Sequence, residues 1–311
     1  MTSPARQTWG RTIWWSLIIV VIILAIILAW QFAPHHPIVV EPPAGKDSNN
    51  AFSISPELVQ ATLLADTQGI TAGQTFRLGV LFRIKSGWHI YWQNPGDAGL
   101  ATAVRFTLPA GFTASALRWP IPHRFEEAGD ITAYGYTDSV LLFAEITPPK
   151  EALKSTSATL AAAASWLVCR DKCVPGAAQL QLTLPVADNA GAANAETFTE
   201  WSGKLPMAAH EQLADMQISS PLPANADVGP FTVTLRWKET PPKIECFPTA
   251  DENVVITKFS APTQNNTTSI SFTAGIIKDR QAKETITLLV VTTDSAGLRR
   301  GVNIPVLVRD A

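Results

Sequence analysis

Phe76-Arg77-Leu78-Gly79-Val80-Leu81-Phe82-Arg83-Ile84 puts Phe76, Leu78, Val80, Phe82 and Ile84 at alternate positions, with Arg77 and Arg83 between them. A period of two is that of a β-strand with one face toward a core. After a Ser86-Gly87 break the pattern resumes through Trp92, and Asn94-Pro95-Gly96-Asp97 is a turn signal. Trp88, Ile90 and Trp92 share one face of this second strand and read as core. His89 points to the opposite face and, with no partner defined by the sequence, reads as structural.

Working outward, Val104–Leu108, Ser139–Ile146, Ala158–Cys169 and Ala178–Val186 are further strand candidates. A second series runs through Phe231–Leu235, Asn253–Phe259, Thr268–Phe272, Glu284–Thr292 and Gly301–Val308. Between them, Ala195–Gly203 and Met207–Met216 carry amphipathic helical patterns broken by Pro206. The fold class predicted is mostly β, two immunoglobulin-like β-sandwich domains behind one N-terminal transmembrane helix. The divisions are a cytoplasmic tip and anchor (1–32), a Pro-rich linker (33–52), a first sandwich (53–190), a partly helical connector (191–223) and a second sandwich (224–311). The chain shows no internal repeat.

The 311 residues are 46% hydrophobic and only 16% charged, which excludes a disordered tail. A net charge of −2 leaves no basic stripe for a phosphate backbone, so nucleic acid is excluded as a partner. Three cysteines do not make a disulfide scaffold, and a chain of this length needs none.

Ile13–Trp30 is apolar except for Ser16 and, at about 1.5 Å per residue, is long enough to span a bilayer core. Bulky Trp30 and Phe32 stand where a signal peptidase would need small residues, which favours an uncleaved anchor over about Ile13–Phe32. Arg6 and Arg11 precede it without acids, so the N-terminus stays cytoplasmic and the rest is exported. Pro34, Pro37, Pro42 and Pro43 with Lys46–Asn50 make an extended tether. His35-His36 lies in that tether with no Cys or carboxylate beside it, and reads as linker rather than metal ligand.

Trp166-Leu167-Val168-Cys169-Arg170-Asp171-Lys172-Cys173-Val174-Pro175 carries the chemistry. If residues 170–172 form a hairpin loop, the two cysteines face each other across the strand ends, within reach of a disulfide. Three readings stand beside one another: a redox-active pair, a structural staple, and part of a metal site. Two cysteines without a histidine pair fall short of four zinc ligands, so no metal is assigned. A bond closing so short a loop stabilises by only about 2 kcal/mol. Arg170 and Lys172 would favour the thiolate that attacks disulfides. Tyr134, Tyr136 and Trp166 are candidate aromatics to shield the pair, although an aromatic turn packing on its own sheet fits Tyr134-Gly135-Tyr136 as well. Cys246 is left over by arithmetic and reads as a buried free thiol. Asn265 and Asn266 each begin a glycosylation sequon, a pattern that by itself assigns no function.

Four stretches in fixed order resemble the DsbD/ScsB family of thiol:disulfide interchange proteins. They are Gly87–Leu100 (GWHIYWQNPGDAGL), Arg118–Phe125 (RWPIPHRF), Tyr134-Gly135-Tyr136, and Trp166–Pro175 (WLVCRDKCVP). Phe247-Pro248 and the β-rich tail more weakly resemble the second immunoglobulin-like region of the suppressor-of-copper-sensitivity branch. The resemblance implies a periplasmic N-terminal region whose Cys169 and Cys173 pass electrons to thiol proteins of the envelope. It does not reach the polytopic membrane domain or the thioredoxin domain to which family members go on. The function expected is therefore a membrane-anchored protein-disulfide oxidoreductase module in the inner membrane. Its partners would be periplasmic thioredoxin-like proteins and a separate membrane electron carrier, and it needs no cofactor. The competing reading is a non-catalytic envelope docking protein whose disulfide only staples a loop.

Overall fold

The computed structural model describes residues 53–310 apart from 55–56, 128, 130, 152–154, 208–212, 224, 251–252 and 278–282. The predicted anchor and tether lie outside the described residues. Among the described residues no helix is long and apolar enough to cross a membrane.

The first half runs β1 (Ser53–Ile54), β2 (Val59–Ala65), β3 (Phe76–Ile84), β4 (His89–Gly96), β5 (Ala103–Thr107) and β6 (Thr113–Ala114). It continues through β7 (His123–Glu127), β8 (Ile131–Thr137), β9 (Ser139–Thr147), β10 (Ser157–Cys169) and β11 (Cys173–Pro185). One sheet has the order β1-β11-β10-β4-β8-β7, and a facing sheet the order β2-β3-β9-β6. One edge of β10 is shared: Val168 and Cys169 pair with Ile90 and His89 of β4, while Ala161–Ser165 pair with β5. The alternation read in β3 is the alternation that buries Phe76, Leu78, Val80, Phe82 and Ile84 between these sheets.

A helix follows, α1 (Ala195–Ser202), and packs on the first sandwich through buried Phe198 and Trp201. Arg77 holds it in place: Nε pairs with Asp66 Oδ2 at 2.6 Å, while Nη1 donates to Ser202 Oγ at 3.0 Å.

The second half runs β12 (Leu213–Ile218), β13 (Val228–Trp237), β14 (Lys243–Thr249), β15 (Val254–Ser260) and β16 (Thr263–Gln264). It ends with β17 (Thr267–Ile276), β18 (Glu284–Thr293) and β19 (Arg299–Arg309). Its sheets are β12-β13-β17-β15 and β14-β18-β19. Of the helix expected over Met207–Met216, residues 208–212 lie outside the described residues, and the part from Leu213 onward is corrected: Leu213–Ile218 is an edge strand antiparallel to β13. Its ladder with a partner strand overrides the helical spacing of its side chains. The stretch read as a connector, 191–223, is thus divided: α1 packs on the first sandwich and β12 pairs into the second.

The two sandwiches also share an interior. Along β18, Ile286, Leu288 and Val290 belong to the second core, while Leu289 and Val291 belong to the first. Along β14, Cys246 faces the second core and Phe247 the first. The β14-β18-β19 sheet is therefore covered on both faces, which explains why Leu288-Leu289-Val290-Val291 is apolar throughout instead of alternating. Phe247 stacks edge-on against Tyr134 at 5.0 Å and Trp92 at 6.0 Å between ring centroids. Beside them Asn94 Nδ2 donates to the Pro248 carbonyl at 2.5 Å.

Candidate functional site

β10 and β11 form a long antiparallel hairpin whose last register pair is Cys169 and Cys173. Arg170-Asp171-Lys172 closes it, with the Arg170 amide donating to the Lys172 carbonyl at 3.2 Å. The local ladder brings the two cysteines to a Cα separation of 4.2 Å, and they are joined by a disulfide. The halves of that bond differ in exposure. Cys169 is 1% exposed, while Cys173 is open to solvent.

Alternation decides what surrounds the bond. Trp166 and Val168 point into the sandwich, so Cys169 points to the outer face of its sheet, opposite His89 of β4 in register. Tyr91 lies two residues on along the same face, and Ala133 of β8 and Phe125 of β7 complete a small outer cluster with Cys169 and Leu167. Tyr91 Oη donates to Glu127 Oε1 at 3.3 Å and lies 3.9 Å from Cys173 Sγ. His89 Nε2 lies 3.1 Å from the same carboxylate oxygen, close but not aligned for a hydrogen bond. The His89 ring stacks on Phe125 with centroids 4.8 Å apart.

Burial, reinforced by the adjacent Glu127 carboxylate, pushes the Tyr91 phenol up to about 12. Burial lowers the His89 pKa below its ordinary value, and Glu127 only partly offsets this. Tyr91 is further braced from outside. Gly99 has φ +99°, and a Cβ placed there would stand 2.4 Å from Tyr91 ring carbons, so the 96–100 loop lies flat on the phenol only because residue 99 is glycine.

The shielding aromatics expected from sequence lie elsewhere. Trp166, Tyr134 and Tyr136 all belong to the inner core of the sandwich, on the other side of the sheet from the disulfide. Trp166 packs edge-on against Phe82, and Tyr136 Oη donates to the Pro120 carbonyl at 2.7 Å. Strand parity places Tyr91 and Phe125 beside the cysteines instead. Arg170 is also turned away from the sulfurs: its Nε pairs with Asp171 Oδ2 at 2.8 Å and its guanidinium lies 5.2 Å over the Trp88 ring. Lys172 is exposed in the turn. Cys246 is a buried free thiol in the second core, pushed up to about 12 by burial and then by Glu245. Among the described residues no group of three or more His, Cys, Asp and Glu side chains is placed to hold a metal.

With this geometry in view, residues 60–185 match the family model described as thiol:disulfide interchange protein DsbD, N-terminal. The fold matches the N-terminal periplasmic domain of ScsB from Proteus mirabilis with a TM-score of 0.56 at 19% identity, covering 83% of this chain and 98% of that one. A conserved domain protein from Bacillus anthracis aligns over 85% of this chain and 92% of its own at 11% identity, but its TM-score of 0.22 carries no argument. No curated protein matches the chain. The Cys169–Cys173 bond lies within the stretch matched to the DsbD N-terminal family model.

Proposed function

We propose that this chain is a membrane-anchored periplasmic module that passes electrons through Cys169 and Cys173 to thiol proteins of the envelope. The observation that carries the reading is a half-exposed, half-buried disulfide inside a domain of the thiol:disulfide interchange family. The anchor rests on the apolar run Ile13–Phe32 preceded by Arg6 and Arg11.

The difference in exposure supports different roles for the two sulfurs. An incoming donor thiolate reaches Cys173 Sγ, breaks the S–S bond and forms a mixed disulfide, and Cys169 leaves as a thiolate that takes up a proton. The donor's second thiol then attacks its own sulfur in the mixed disulfide, releasing Cys173 and leaving the pair reduced by two electrons. In the delivering half-reaction Cys173 attacks a partner's disulfide and expels one of its sulfurs. Cys169 then attacks Cys173, re-forming the bond and releasing the partner as a dithiol. The donor is a membrane electron carrier acting in trans, and the acceptors are thioredoxin-like proteins of the envelope.

Trapping tests the reading. In Cys169→Ser the resolving sulfur is gone, so mixed disulfides through Cys173 should accumulate on non-reducing gels, whereas Cys173→Ser should trap none. If neither variant traps a partner and the bond's reduction potential lies below about −300 mV, the disulfide is a staple and the docking-protein reading replaces this one.

A further inference from the structure

We infer that Glu127, acting through Tyr91, is a positioning residue that holds reduced Cys173 in its thiol form and so restrains the exchange reaction. The inference rests on the interchange role proposed for Cys173 and adds to it what sets the reactivity of that sulfur.

The argument starts from a hydrogen count. A phenol has one hydrogen, and Tyr91 commits it to Glu127 Oε1. Its oxygen therefore turns lone pairs toward Cys173 Sγ, 3.9 Å away. Such an oxygen accepts from an S–H but offers nothing to a thiolate. The carboxylate behind it adds a like charge, which disfavours the thiolate further. Because Tyr91 is buried and lies beside that carboxylate, it keeps its hydrogen throughout the range in which thiols titrate.

A general-base role for Glu127 loses on magnitude. An ordinary carboxylic acid is stronger than an ordinary thiol by about 4 pKa units, so handing the thiol proton to a carboxylate lies about four decades uphill, worse than releasing it to water at neutral pH. The neighbours do not cancel the charge. His89, the group nearest Glu127 on β4, is held toward its neutral form by burial. On the β10–β11 turn, Arg170 is paired with Asp171 and Lys172 is exposed. On β7 itself, Arg124 is paired with Glu126, on the opposite side of the strand from Glu127.

The step affected is the attack of reduced Cys173 on a disulfide. Its S–H gives up a proton to solvent, its sulfur bonds to one sulfur of the target, and the other sulfur leaves with the electron pair. Removing the charge of Glu127 makes the first of these events easier.

The test uses the full chain carrying Cys169→Ser, with iodoacetamide as the probe of thiolate at Cys173 between pH 6 and 10. Adding Glu127→Gln should lower the midpoint of the rate–pH curve by roughly one unit. At pH 7 the rate should rise roughly threefold, since a tenfold larger thiolate fraction is partly offset by the weaker nucleophilicity of a more acidic thiol. Glu127→Ala, which removes the same charge by a different side chain, should shift the midpoint in the same direction. An unchanged midpoint in both variants, or a rate lowered equally at every pH, overturns the inference and leaves the interchange reading standing. A Cys173 that iodoacetamide does not reach in the parent protein would overturn both.

Discussion

Replacing both cysteines by alanine separates what the bond does for the fold from what it does for chemistry. Cys169 and Cys173 are only four residues apart, so the bond closes a very small loop in the unfolded chain. The loop-entropy estimate is about 2 kcal/mol, near the low end for disulfides. In the folded state the β10–β11 ladder runs the length of both strands and does not depend on the bond at its tip. Alanine is chosen because a serine hydroxyl at position 169, which is 1% exposed, would add a burial cost of its own. For a chain of this size, each kcal/mol corresponds to about 2–4 °C in melting temperature, so the double variant should melt about 4–8 °C lower and remain fully folded. Far-ultraviolet circular dichroism during a thermal scan reads this directly, and wild-type protein scanned in dithiothreitol should reproduce the same shift. A variant that does not fold, or one that loses more than about 4 kcal/mol, would show that the hairpin needs the bond, and the exchange reading would lose its footing.

Two further outcomes follow from the core and from the histidines. Phe247→Ala removes a ring packed between Trp92 and Tyr134 and should cost about 3–5 kcal/mol, with both sandwiches still melting in one transition; two separated transitions in calorimetry of the parent protein would contradict the shared interior. The pKa values of His89 and His123 are both depressed, each first by burial, and His123 next by Arg299. The unfolded chain then binds more protons than the folded one as pH falls through about 6.5, so stability should be greatest above that value and decline below it, and His123→Asn should flatten the decline in melting temperature between pH 7.5 and 5.

Much of the architecture was legible because strand periodicity is a local property. Phe76–Ile84 declared its inner face by alternation, and the C-x3-C spacing announced a hairpin tip because the five residues Cys169–Cys173 decide that geometry alone. The helical pattern misled over Leu213–Met216 for the same reason, since the pairing of Leu213–Ile218 with β13 is not a local property. The resemblance located the cysteines but not their surroundings. Tyr91 is separated from Glu127 by 36 residues and from Cys173 by 82, and only the order of strands in the sheet brings the three together. Strand parity was the available signal: His89 and Tyr91 lie on the face opposite Trp88, Ile90 and Trp92. Tyr134 and Tyr136 drew attention as aromatics, but their register with β4 turns them inward, away from the sulfurs.

The sheet covered on both faces bears on how a protein like this is divided. The match to the family model ends at residue 185. The interior does not stop there: Phe247, Leu289 and Val291 fill the first core from positions far beyond it. The unit that is recognised and the unit that is stable are therefore different objects. A stop codon placed after β11 would keep every residue of the redox motif and strip apolar cover from Trp92 and Tyr134, converting part of an interior into an adhesive surface.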